Sequence, residues 1–353
     1  MRLFEKYVIK NYVSNVFVIF VSLELFYVGV DWLSNYKTIP DSANLQILYF
    51  LFQALSAINY VLPLSIVFGM IVTKFALIKS NELICMYASG ITKRSLVIPF
   101  FLTSLVFTLL YIGLNCTPFV YAYEYGSNLR KYNRISNGSG ELFLKNGDQY
   151  VFVKKLDPLK KTAFGITIFD ASNGDVQKIT KAQSGYFVDN FWLLQDVNIT
   201  DKPIAKSLSD IGLKTTIKSK MTALENFKPK IIDNIYQGQY ILSILDAIEA
   251  MTFFEEQGVN TSRIKAMLFS QLFSPLFAPF LIVILYFNSP ISSRYFNTAF
   301  LSFVFAFVTL AVWGGLFLLS KLSLNTVIPS EIGILAPIIV LGLLALHFYY
   351  KEK

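Results

Sequence analysis

The sequence predicts a helical integral membrane protein with six transmembrane helices and a β domain inserted between the third and the fourth. Three observations predict it. Hydrophobic residues fill 54% of the 353 positions and charged residues only 15%, against about 25% charged in soluble domains; mean hydropathy is +0.52. Six stretches reach the roughly 20 apolar residues that a helix needs to cross a hydrocarbon core. They fall three and three around a polar middle of short alternating segments.

The spans run from about Tyr12 to Leu33, Ile47 to Leu77, Leu96 to Val120, Met267 to Phe287, Phe296 to Leu319 and Ile332 to Tyr350. The first is too long for a cleaved signal peptide and lacks a small-residue cleavage site. Lys/Arg asymmetry orients them. Arg2, Lys6, Lys10, Lys74, Lys79, Lys93, Arg94, Arg294, Lys351 and Lys353 gather on one side, whereas the short loops of the other carry Lys37 and Lys321. Both termini are therefore expected in the cytoplasm, and the middle in the periplasm of a bacterial inner membrane.

That middle, 121–240, separates a first membrane segment, 1–120, from a second, 241–353. Glu141–Leu144 and Tyr150–Val153 flank Asn146-Gly147, a strong hairpin signal. Gly165–Phe169 and Val176–Ile179 flank Ser172–Asp175, and Gly185–Val188 and Phe191–Leu194 flank Asp189-Asn190. Short strands at this spacing predict a sandwich or a barrel-like domain. An amphipathic helix over Leu242–Gln257, ended by Gly258, leads into span four.

Between spans two and three lies a connector, about 80–92, built like a helix rather than a plain loop. Ser80 is placed to cap it by accepting a backbone N–H, and Glu82 puts negative charge at the positive end of its dipole. Gly90 supplies the left-handed stop, with Lys93 and Arg94 after it. About three turns are expected.

Several functions are excluded. No GxxxxGK[ST] phosphate loop occurs, so the chain is not a P-loop ATPase. GxSxG, HExxH and clustered metal ligands are also missing, so neither catalytic residues, a metal nor a cofactor is expected. The net charge of +8 carries no basic stripe with interleaved aromatics, which argues against nucleic acid. Cys85 and Cys116 lie at opposite ends of span three and cannot pair. The lone His347 reads as an interfacial anchor.

Ionisable residues in or beside the spans are candidate lipid contacts. Glu24, mid-span, either lines a polar cavity or is a neutral hydrogen-bonded group in a helix interface. Asp31 and Lys37 at the end of span one, and Arg263 and Lys265 at the mouth of span four, either hold lipid phosphates or anchor the helices. Pro63, Pro275 and Pro279 predict kinks.

The connector and its surroundings resemble the LptF/LptG (YjgP/YjgQ) family of lipopolysaccharide export permeases. The resemblance rests on Tyr60-Val-Leu-Pro63 through Gly69, Asn81-Glu82-Leu83, and Ala88-Ser89-Gly90-Ile91-Thr92. It continues through Trp192-Leu-Leu194, Gly258, Ser274-Pro275-Leu276 and Arg294, in order along the chain. It implies a jelly-roll β domain and a non-catalytic permease subunit of an ABC-type transporter. This subunit would pair with a paralogous LptF or LptG permease, sit on a dimer of the ATPase LptB, and associate with LptC. Lipopolysaccharide would be extracted from the membrane and passed to a periplasmic bridge for outer-membrane biogenesis. The connector becomes the coupling helix, with Ser80, Glu82, Leu83, Met86, Ala88, Ser89 and Gly90 as the ATPase contact. The run Leu23–Leu33 with Asp31 leans toward LptG, although LptG carries lysines where this chain has Val28, Ser34 and Asn35. Phosphate contacts then shift to Lys37, Arg263 and Lys265. The rivals are a permease for another amphiphile, a lipoprotein or a phospholipid, and a non-transport membrane protein with a binding domain.

Overall fold

Long apolar runs can satisfy their backbone groups in lipid only as helices, and the computed structural model contains six such spans. It describes residues 2–135, 138, 140–172, 175–202, 212–225, 227–236, 241–255, 260–292 and 297–351. Gly258 and Arg294, the loop centre at 173–174, and Lys353 lie outside the described residues. By packing the chain divides into two units, one of Met1–Gly126, Ser243–Ala247 and Ser262–Lys353, the other of Ser127–Leu242 and Ile248–Thr261.

In the membrane unit, α1 (Leu3–Asn35) and α2 (Ala43–Lys79) form an intimate pair. Gly69 permits it: a Cβ there would meet Val16 Cγ2 at 2.4 Å and Val16 Cα at 3.0 Å. Polar side chains tie the same seam. Tyr12 donates to the Ile66 carbonyl at 3.0 Å, and Asn15 Nδ2 donates to Thr73 Oγ1 at 2.9 Å. The connector is α3 (Glu82–Ala88), and α4 (Lys93–Asn115) is span three. Its 23 residues rise about 34 Å at 1.5 Å each, which separates the two free cysteines as expected.

Helix α5 (Ala122–Tyr132) follows span three. The polar middle then contributes β1 (Leu142–Asn146), β2 (Gln149–Asp157), β3 (Thr162–Ser172), β4 (Asp175–Val188), β5 (Phe191–Asp201) and β6 (Lys214–Ala223). They form one antiparallel sheet in the order β1-β2-β3-β4-β5-β6. The inserted β domain is thus an up-and-down meander. The Asp189-Asn190 turn forms as expected, with φ values of 47° and 67° between paired Val188 and Phe191. The first hairpin turns one residue later than expected, with Asn146 paired to Gln149 and Gly147 at φ 60°. Two of the expected short strands, 176–179 and 185–188, are parts of one 14-residue strand, β4. Strand β6 is an addition. Its lysines at 214, 218 and 220 lie on an edge strand, where charge discourages further pairing. Trp192 closes the core of this unit, fully buried, its Nε1 donating to the Phe227 carbonyl at 2.7 Å.

After the sheet come α6 (Pro229–Tyr236) and α7 (Ile244–Glu255), the expected amphipathic helix. Span four is interrupted: α8 (Ser262–Leu272) passes through a 3-10 turn, Ser274–Leu276, into α9 (Phe277–Asn288). Pro275 sits in that turn, where a missing N–H and a ring clash stop the helix rather than only bending it. Span five is α10 (Thr298–Leu324), and a wide turn, Glu331–Leu335, opens span six, α11 (Ala336–Lys351).

Candidate functional site

The connector is shorter than its sequence suggested, and its start differs. Helix α2 runs on to Lys79, so Ser80 ends that helix and its hydroxyl donates to the Leu77 carbonyl at 3.3 Å. Asn81 makes the corner at φ 62° and occupies the N-cap position of α3. Asparagine is among the few residues that adopt this left-handed conformation readily. The C-terminal end follows the sequence. Gly90 stands at φ +87°, its N–H donates to the Tyr87 carbonyl at 3.0 Å, and Ile91 N–H donates to the Met86 carbonyl at 3.2 Å. That double bond pattern is a Schellman stop, which only a residue tolerant of positive φ supports well.

The seven residues of α3 present two faces. Leu83 is buried, and Met86 and Tyr87 pack with it on the membrane core. Ile84, Cys85, Ala88 and Ser89 are exposed and lie i to i+4 apart, on one side of the helix. Leu83 and Met86 therefore seat the connector, and its free edge consists of Ile84, Cys85, Ala88 and Ser89. The sequence reading missed Ile84 and Cys85. Placing the apolar triad Leu83-Met86-Tyr87 on the inward side would have found them. Glu82 lies beside this edge and accepts a hydrogen bond from Tyr7 of α1 at 2.7 Å.

Two cations beneath and beside α3 cap helices from the second half of the chain. Lys74, 3% exposed, donates to the Tyr286 carbonyl in the last turn of α9, and its Nζ lies 3.5 Å above the Tyr286 ring. Arg94 donates through Nε and Nη2 to the Tyr349 and Tyr350 carbonyls of α11, both at 3.0 Å. Helix C-termini carry orphan carbonyls and partial negative charge, so a cation from a neighbouring helix satisfies both. The Tyr286 hydroxyl reaches the Tyr87 hydroxyl at 3.1 Å.

At the opposite end the candidate lipid contacts scatter. Asp31 is engaged within the chain, accepting from Tyr49 and, at 3.0 Å, from Asn35 Nδ2. Lys265 pairs with Glu331, while Lys37 and Arg263 are exposed. Both carboxylate oxygens of Glu24 are shielded and accept no hydrogen bond among the described residues. Among the described residues no group of His, Cys, Asp and Glu could hold a metal ion.

Six spans, an inserted antiparallel sheet and a stopped connector helix define a multi-pass membrane protein. The family model described as lipopolysaccharide export system permease LptF/LptG matches residues 6–351. The chain belongs to that family. No curated protein matches the sequence.

Proposed function

We propose that this chain is the permease subunit of an ABC-type transporter that extracts lipopolysaccharide from the bacterial inner membrane, with LptG the favoured branch. Both termini and α3 face the cytoplasm, the sheet faces the periplasm, and ATP hydrolysis belongs to a partner LptB dimer. The paralogous permease and LptC complete the assembly, which hands cargo to a periplasmic bridge. The connector carries this reading: a short helix with a defined stop, an inward seat and an exposed edge suits docking by a separate energy-supplying subunit. The edge to test comprises Glu82, Ile84, Cys85, Ala88 and Ser89.

Two further observations support a paired permease. Only 6% of the most apolar stretch of span one and 11% of that of span five is buried, against 72% for span two. A shielded carboxylate without a donor is costly in a membrane, so Glu24 on span one fits a surface completed by the second permease or its cargo. At the outer rim Lys37 and Arg263 supply charge for lipid phosphates, and Lys265 joins them by exchanging its exposed ion pair, which such pairs permit at small cost. Purification from native membranes tests the reading. Co-isolation of an ATPase, a second permease and lipopolysaccharide is expected. A protein isolated with none of the three would contradict it.

A further inference from the structure

The aromatic ring of Tyr286 touches more of the membrane unit than any role in lipid contact would require. From α9 it meets Phe100 of α4 at 5.8 Å between centroids, and Phe100 meets Tyr12 of α1 at 5.2 Å. Tyr12 in turn donates to Ile66 of α2. Lys74 of α2 lies over the Tyr286 ring and donates to its carbonyl, and Tyr87 of α3 pairs with its hydroxyl. Tyr286 itself is 1% exposed. One buried side chain thus joins the connector to the end of span four and, through a tilted and an edge-on ring contact, to spans three and one.

We infer that Tyr87, Tyr286 and Lys74 form a positioning relay that makes the connector and the end of α9 move as one piece, so that a push on α3 displaces span four. The chemistry favours rigidity. Lys74 adds an ammonium to the Tyr286 carbonyl, which also accepts from the Ser289 hydroxyl at 2.8 Å, and the same ammonium holds the ring face by a cation–π contact. With the ring fixed in this way, the Tyr286 hydroxyl is held at the connector. A hydroxyl pair between two buried-facing tyrosines has one favoured separation, so it resists sliding of α3 along α9. Below the ring the 3-10 turn at Ser274–Leu276 interrupts span four. That break lets α9 shift without dragging α8 as a rigid extension. The relay rests on the permease reading for its use in transport, although its geometry does not.

Spin labels on the native Cys85 and on Asn288→Cys, in a Cys116→Ser background, report the separation of α3 from the end of α9. In nanodiscs the parent pair should give one narrow distance distribution. Tyr87→Phe, which removes a single oxygen, and Lys74→Met should each broaden it visibly. In the reconstituted complex both should lower lipopolysaccharide released per ATP hydrolysed at least threefold while the ATPase stays bound. Narrow distributions in both variants would overturn the relay, and so would parent-level release per ATP in both. Should the parent complex itself release no lipopolysaccharide, the transport reading fails, and the label distances still decide the relay.

Discussion

The two ends of the membrane unit are built on different principles. At the connector end two cations bind neighbouring helices: Lys74 of α2 is buried against α9, and Arg94 of α4 binds the final carbonyls of α11. At the other end the cations go outward. Lys37 and Arg263 are exposed, and Lys265 holds an exposed ion pair with Glu331 and lies over the Phe269 ring. Charge-assisted bonds to helix-end carbonyls fix helices against one another, whereas exposed cations lie where a ligand can reach them. The contrast fits a protein driven from one end that meets charged lipid at the other.

Substitutions can break or sharpen this contrast. Arg94→Met removes two charge-assisted bonds at once, and each such bond is worth about 1.5–3 kcal/mol. It should produce the largest loss of thermal stability in detergent, with α11 showing the fastest amide exchange. An unmoved melting curve would mean that the helix-binding cations are ornamental. Gly90→Val forces a branched residue into the left-handed region, at about 1–2 kcal/mol, and should fray α3, measured as faster exchange at Tyr87 and Ala88 amides. Retained protection there would show that the Schellman stop does not set the connector's length. Lys37→Glu should leave the melting curve within about 0.5 kcal/mol of the parent, as for most exposed positions. Yet it should weaken lipopolysaccharide crosslinking, since a basic group near an anionic surface contributes about 1 kcal/mol. Unchanged crosslinking would make Lys37 an anchor only.

Much of this architecture was legible in the residues. Hydrophobic run length located all six spans, because lipid leaves the backbone no other choice. Turn chemistry located Asp189-Asn190, where two consecutive positive φ values suit Asp and Asn. Strand β6 escaped because an exposed edge needs no apolar alternation, and Lys-Thr-Thr-Ile-Lys-Ser-Lys offers little. Helices α5 and α6 lay hidden in a stretch read as strands. The connector's stop was readable from Gly90, a single residue with one conformational demand. Its start was not, since nothing local to Ser80 reveals that α2 continues to Lys79 before turning at Asn81. Lys74 was readable only as one more charge on a side. Its burial against Tyr286 joins positions 212 residues apart, and no spacing rule spans that separation. Family resemblance pointed to the connector as a proposed docking element, while only the packing showed which of its residues are exposed.

The central claim is that α3 receives the work of an ATPase and passes it to the spans. The most direct measurement is lipopolysaccharide released per ATP hydrolysed from proteoliposomes holding the full complex, compared between the parent and Glu82→Lys. The substitution reverses charge at the start of α3 and ends the hydrogen bond from Tyr7. Hydrolysis with release reduced to background is the outcome this account predicts. Release per ATP equal to the parent would contradict it.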